Sequence, residues 1–293
     1  MTFRSGLVAV VGRPNVGKST LVNALVGRKV AIVSDKPQTT RRDARGILST
    51  DAYQIVFTDT PGFHKPRTLL GSRLNELVGQ ATAGVDAIVQ VVDAKAGVGR
   101  GDAFVHERQV RAAGAPAFCA VNKFDLLRKR DEVPQLQAAA DLGAFAEIVP
   151  ISAKTGRGVE VLLGLLLERL PEGPPLYPLE EVTDQPLDVR LAELVREKAL
   201  AVVHQEVPHS IAVVVEELEP GEGLTRVSAT IVVERDSQKG IVIGKGGAVL
   251  KTIGTRAREE MEGLLGTKVF LDLRVKVLKE WQRDPKALQR LGF

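Results

Sequence analysis

Cysteine is nearly missing from this 293-residue chain, with Cys119 alone, so no intramolecular disulfide can staple the fold. Cohesion must come from buried apolar surface, and a chain of this length can enclose two cores. The want of a disulfide framework fits a reducing cytoplasm. Cys119 lies in the apolar run 117–121 and is expected to be core. Aromatic residues are scarce at 4 %, with one Trp and two Tyr, which argues against a broad base-stacking platform. No apolar run reaches the roughly 20 residues that span a bilayer. The N-terminal residues show no charged leader, apolar core and cleavage site, so neither a transmembrane segment nor a secretion signal is expected. Histidine is also rare, and His204 and His209 lack ligand-spaced partners; they are read as ordinary surface or boundary residues.

Net charge is a modest +4, but the signs are segregated. Residues 174–238 hold 5 Lys/Arg against 13 Asp/Glu, whereas residues 239–293 hold 12 against 6. The basic end is where a polyanionic partner would dock.

The most informative stretch is Gly12-Arg13-Pro14-Asn15-Val16-Gly17-Lys18-Ser19, between the apolar run 7–11 and a helical pattern that begins at Thr20. This is the strand–loop–helix spacing of a phosphate-binding loop. Its glycines let backbone N–H groups converge on phosphate oxygens, and the helix N-terminus adds partial positive charge. Lys18 can reach the outer phosphates, and the Ser19 hydroxyl can ligate magnesium. A polar stretch without clear period, 28–45, follows as an expected loop containing Pro37, Gln38, Thr39, Thr40, Arg41 and Arg42. Runs 44–49 and 53–57 then read as a hairpin that ends in Asp59-Thr60-Pro61-Gly62. Asp59 at a strand end can hold magnesium through water, and the Gly62 N–H can bond a terminal phosphate. Asp-x-x-Gly alone is ordinary turn chemistry; its place after the phosphate loop gives it meaning.

Helical spacing over 69–82, a strand at 87–92 and a helix at 102–113 lead to strand 117–121 and Asn122-Lys123-Phe124-Asp125. This quartet selects the base. The Asp125 carboxylate accepts from guanine N1–H and the 2-amino group, whereas adenine lacks that amine and presents a lone pair at N1. Such a site can discriminate by roughly 10⁴ to 10⁵. Asn122 can bridge base edge and phosphate loop, and the Lys123 stem can cover the ring. Ser152-Ala153-Lys154, after strand 147–151, can offer a backbone N–H to guanine O6. Strands alternating with helices imply a mixed, mostly parallel α/β sheet with ligand at the strand C-termini. The expected boundaries are a nucleotide domain over 1–173, a proline-rich linker over 174–186 and a second domain over 187–293.

The second half reads as helix, two strands, two helices, strand: 187–205, 210–218, 225–234, two helices around Gly244-Lys245-Gly246-Gly247, then 267–277. In the last run Val269, Leu271, Leu273, Val275 and Val277 share one face. A G-x-x-G loop between helices lets a nucleic-acid backbone approach. Lys245 would contact phosphate, Lys251 would add charge, and Ile241, Val242 and Ile243 would line a groove for unstacked bases. Trp281 could stack on a base or pack against its own domain.

These motifs together resemble the Era family of GTPases, in which a GTPase domain precedes a type II KH domain. The resemblance covers essentially the whole chain. It implies a P-loop GTPase domain followed by a smaller α+β KH domain. It also implies hydrolysis of GTP to GDP with Mg2+, and binding near the 3′ end of 16S rRNA during 30S subunit maturation. It implies no DNA partner, and a cytoplasmic location with a peripheral membrane fraction. Lys18, Thr40 and Gly62 become the catalytic set. Thr40, which precedes Arg41 as in related GTPases, joins Ser19 and Asp59 as a magnesium ligand in preference to Thr39. Asn15 matches the asparagine of potassium-dependent relatives, where K+ could replace an arginine finger; an asparagine that only shapes the loop is the alternative. Phe63 stands where a water-orienting glutamine would be expected, so intrinsic hydrolysis should be slow. An RNA-docking module with incidental hydrolysis is the competing reading. A tRNA-modifying GTPase is weaker, because no C-terminal cysteine is present.

Overall fold

The computed structural model describes residues 2–36, 39–42, 44–62, 68–203 and 207–293. Contacts divide the chain into two compact units, the first taking in most of residues 1–184 and the second residues 185–293 with two short pieces of the first half.

The first unit is built on strands that are mostly apolar: β1 (Arg4–Val11), β4 (Ala87–Asp93) and β5 (Ala117–Asn122). Continuous apolar runs mark strands covered on both faces, and Val8 to Val11 and all of β4 are buried. With β2 (Ala44–Ser49), β3 (Tyr53–Asp59) and β6 (Glu147–Pro150), they form a six-stranded sheet in the order β2-β3-β1-β4-β5-β6. Only the β2–β3 pair is antiparallel, with Ala44 opposite Asp59 and Ser49 opposite Gln54. The expected hairpin and parallel core are therefore both present.

The helices are α1 (Lys18–Val26), α2 (Leu69–Ala81), α3 (Arg100–Val105), α4 (Arg111–Ala113), α5 (Lys129–Ala140) and α6 (Val159–Leu167). A π-helical turn, His106–Val110, joins α3 to α4. The helix expected at 102–113 is thus one continuous rod with a wide turn inside it. Helix α5 had no sequence signal, because it is largely polar, shows little apolar periodicity and carries Pro134 in its interior. Cys119 is fully buried among Val92, Val121 and Phe124, and burial pushes its thiol up to about 12. It is an inert core residue.

The segment expected as a free linker is docked. Gln54, fully buried, accepts from the N–H groups of Leu176 (2.7 Å) and Tyr177 (2.9 Å) and donates to the Tyr177 carbonyl (2.9 Å). The Ile47 N–H donates to the Val182 carbonyl at 2.9 Å, and Arg45 pairs with Asp184 at 3.6 Å. The strap belongs to the first unit, whose limit falls at Asp184.

The second unit contains α7 (Leu187–Val202), β7 (Ala212–Glu219), β8 (Leu224–Val233), α8 (Asp236–Ile243), α9 (Ala248–Leu265), β9 (Lys268–Val277) and a further short helix α10 (Pro285–Arg290). Its sheet runs β7-β8-β9, antiparallel and then parallel. In α9 the buried residues are Ile253, Ala257 and Met261, one every four positions, which is a helical core stripe. They meet Leu191, Val195 and Ala199 of α7 and Val227 and Ile231 of β8 in one core. Truncating Ile253 or Met261 to Ala would cost about 2–5 kcal/mol.

Candidate functional site

At the C-terminal end of β1 the chain turns through Gly12 to Gly17, with positive φ at Gly12, Asn15 and Gly17. Gly17 cannot carry a side chain, since a β-carbon there would meet the Asn122 amide nitrogen at 2.3 Å. Lys18 opens α1 and folds back over the loop, and its Nζ donates to the carbonyls of Gly12 (3.2 Å) and Arg13 (3.0 Å). Burial pushes the Lys18 pKa down to about 8, although the nearby Asp59 pulls the other way. An ammonium desolvated this way is poised for a phosphate.

The three expected magnesium ligands meet. Ser19 Oγ donates to Asp59 Oδ2 at 2.7 Å, Thr40 Oγ1 donates to the same oxygen at 3.0 Å, and the two hydroxyls are 3.0 Å apart. Asp59 is fully buried, and its Oδ1 has no hydrogen-bond partner among the described residues. Burial raises its pKa, opposed by Lys18, Ser19 and Thr40. A buried carboxylate with one idle oxygen beside two hydroxyls is a hard, oxygen-only donor set, and it fits Mg2+. Thr60 turns its hydroxyl to the Val10 carbonyl at 2.8 Å and so supports the loop. Gly62 lies against Pro14; a β-carbon at Gly62 would come within 2.8 Å of Pro14 Cα. The closing glycine and the phosphate loop are thus already in contact. Phe63 lies outside the described residues.

The base-selecting motif closes the other end. Asn122, buried at the end of β5, donates from Nδ2 to the Val16 carbonyl (2.8 Å) and accepts the Ala153 N–H on Oδ1 (2.9 Å). One side chain therefore ties together three loops distant in sequence. Of the three residues expected to offer an N–H to guanine O6, Ala153 already gives its N–H to Asn122. Lys123, at φ 60°, sends its Nζ to the Asn15 carbonyl (2.8 Å) and to Asp93 (2.5 Å). Asp93, the last residue of β4, holds the Lys123 ammonium and was not singled out in the sequence; its signal was an acid closing a mostly apolar strand. Asp125 is exposed. Lys154 is also exposed, and Ser152 is buried and accepts the Thr155 N–H at 3.2 Å. The side chain of Arg13 does not point into the cradle; it pairs with Asp102.

In the second unit, α8 ends at Gly244 and α9 starts after Gly247, with φ values of 73°, 59° and 78° at Gly244, Gly246 and Gly247. Lys245 and Lys251 are exposed, and a β-carbon at Gly246 or Gly247 would meet only open space. A backbone could approach here without hindrance. Ile241 is 45 % exposed, whereas Val242 is fully buried in the domain core. Val242 therefore cannot line a groove, because the helical step of about 100° per residue carries it from the exposed side of Ile241 into the core; Ile243 is half-buried. Trp281 does not stack on a base either. It is fully buried, donates its indole N–H to the Ser210 carbonyl (3.0 Å) and stacks on Phe293 at 5.7 Å. Its size favoured burial over a wet face. Strand β9 packs against both loop helices and lies at the edge of its sheet among the described residues.

Comparison with known proteins agrees with this geometry. Residues 7–123 match the family described as 50S ribosome-binding GTPase, and residues 206–282 match the KH domain. The chain is 55 % identical over 297 residues to GTPase Era of Mycobacterium bovis and of Mycobacterium tuberculosis, with 99 % of each chain covered. A crystal structure of an Aquifex aeolicus Era variant bound to GDP.AlF4- superposes with a TM-score of 0.95 at 39 % identity, covering 99 % of both chains. Another, of Era in complex with MgGDPNP and nucleotides 1506–1542 of 16S ribosomal RNA, gives 0.94 at 39 % identity and the same coverage. Fold and site together define a P-loop GTPase joined to a KH module. The chain belongs to the Era family of GTPases.

Proposed function

We propose that the chain binds single-stranded RNA at the 3′ end of 16S rRNA and assists assembly of the 30S subunit, with the state of its bound guanine nucleotide controlling that contact. The observation that carries the nucleotide half is the meeting of Ser19, Thr40 and the idle oxygen of Asp59 beside Lys18. The RNA half is supported by the open Gly244–Gly247 loop with its exposed lysines, and by the relative solved with 16S nucleotides.

In this reading Asp125 accepts the guanine N1–H and 2-amino protons, and Lys123, held by Asn15 and Asp93, lays its stem on the ring. The loop from Gly12 through Thr20 wraps the phosphates, with the N–H groups from Asn15 onward as donors. Lys18 exchanges its two carbonyl partners for phosphate oxygens. Ser19, Thr40 and Asp59 hold magnesium, which when bound neutralises charge that builds on the β- and γ-phosphates. The Gly62 N–H donates to the γ-phosphate. Water attacks the γ-phosphorus as the bond from that phosphorus to the β–γ bridging oxygen breaks, and the water proton passes to the phosphate formed. Departure of that phosphate leaves GDP bound and the Gly62 N–H without its acceptor. Lys18, Thr40 and Gly62 are the catalytic groups, because each touches the transferring phosphoryl group or its metal. Asn15, beside that group at positive φ, is the candidate K+ ligand; turnover equal in potassium and in sodium would dismiss it. A cytoplasmic site of action with peripheral membrane contact is part of this reading; no helix among the described residues is long and apolar enough to cross a membrane.

The decisive experiment crosslinks the protein to ribosomal RNA with a non-hydrolysable GTP analogue or with GDP. Capture of the 16S 3′ end that depends on the nucleotide supports the switch. Capture indifferent to nucleotide, with turnover indifferent to RNA, would reduce the chain to an RNA-docking module.

A further inference from the structure

Arg13 stands inside the phosphate loop, yet its side chain leaves it. Its Nε donates to Asp102 Oδ1 at 2.7 Å, and a terminal nitrogen donates to the Gly97 carbonyl at 3.1 Å. Asp102 is fully buried, and its second oxygen accepts the Gly99 N–H at 3.0 Å, which caps α3. The bonds continue inward. Gln90 donates to the Asp102 carbonyl at 2.9 Å, and its oxygen lies 3.1 Å from His106 Nδ1 at the start of the π-helical turn. Gly101 leaves room for the arginine, since a β-carbon there would come within 2.5 Å of Arg13 Cδ. The front of the phosphate loop is therefore bolted to α3. Its next residue, Pro14, is the surface against which Gly62 rests.

We propose that Arg13 is a positioning residue: clamped by Asp102, it fixes Pro14 and hence the place that Gly62 takes when a terminal phosphate is present. This rests on the reading of Gly62 as the γ-phosphate contact. The second half of the loop, from Asn15 to Thr20, supplies the N–H groups that hold the phosphates of GDP as well as GTP. The clamp acts on the other half, so it governs turnover and leaves GDP binding in place. A lysine at position 13 would keep the charge but could not reproduce the two-point grip.

The test measures kcat, KM for GTP and Kd for a fluorescent GDP in full-length protein. The variants are Arg13→Ala, Arg13→Lys, Asp102→Asn and the double variant Arg13→Ala with Asp102→Asn, with Gly62→Ala as reference. Arg13→Ala is expected to lower kcat about tenfold with GDP affinity within threefold. Asp102→Asn should match it, the double variant should fall no further, and Arg13→Lys should recover only part. Should the buried Asp102→Asn variant fail to fold, Arg13→Ala still decides, because that side chain is 30 % exposed. GDP affinity falling as far as kcat would make Arg13 a phosphate ligand and overturn the proposal. An unchanged kcat in Arg13→Ala beside an inactive Gly62→Ala would overturn it too. If Gly62→Ala turns over GTP at the full rate, the reading of Gly62 fails instead, and the positioning role falls with it.

Discussion

Replacing Asn122 by Ala tests the clasp that joins the two ends of the nucleotide site. The side chain is 3 % exposed and makes two hydrogen bonds to backbone groups, the Val16 carbonyl at 2.8 Å and the Ala153 N–H at 2.9 Å. Truncation leaves both groups inside the protein without that partner. An unsatisfied buried polar group costs about 1–3 kcal/mol, so two cost roughly 2–6 kcal/mol, less whatever an entering water recovers. A central value of about 3 kcal/mol corresponds to a hundredfold change in an equilibrium constant. That cost is divided between fold stability and the geometry of the empty site. Loss of guanine nucleotide affinity by about 30- to 100-fold is therefore expected, with a lower melting temperature. Titration of a fluorescent GDP analogue and a thermal melt in saturating nucleotide measure the two parts. An Asn122→Ala protein that melts with the parent and binds GDP within threefold would refute the reasoning, because the clasp would then contribute nothing.

Asp125→Asn places an amide NH2 against the guanine 2-amino group, so GTP affinity should fall by about 10³ while xanthosine triphosphate, with a carbonyl there, should bind better than GTP; equal preference for the two would count against Asp125 as base selector. Lys18 has a pKa of about 8 in the nucleotide-free fold, below the 10.5 of an exposed lysine. Phosphate oxygens restore its charge, so binding at pH 8.5 should take up most of a proton, seen as buffer-dependent heats in calorimetry; identical heats would contradict it. The same lowered value makes the empty protein gain stability as pH rises from about 8 towards 10.5, where the unfolded chain holds the extra proton. Lys245→Ala should weaken single-stranded RNA and reduce the slope of log affinity against log salt by about 0.7, leaving GTP affinity unchanged; an unaltered slope would remove Lys245 from the phosphate contacts.

Local patterns determined a large share of this protein. The central strands of the first unit were legible because they are buried on both faces and read as mostly apolar runs. The phosphate loop, Asn122–Asp125 and Ser152–Lys154 were legible because each occupies a strand end, where the backbone itself fixes the side chain's direction. The order of elements in the second unit followed from period and from its glycine loop. Helix α5 escaped, since an exposed, proline-containing helix has little apolar periodicity to show.

Other features depended on which distant groups came together in space. Val242 and Trp281 looked like parts of an RNA surface but are buried: the turn of α8 sends Val242 inward, and the Ser210 carbonyl offered the indole a partner. Residues 174–184 had the composition of a linker, yet the fully buried Gln54 required partners and took their backbone groups. Arg13 belongs to the phosphate loop by sequence and to α3 by contact, because a buried Asp102 needs a cation more than an open cradle does. Sequence alone carries chain direction and local period. The burial of a charge or an amide, and the partner it then demands, exists only once the chain has folded back on itself.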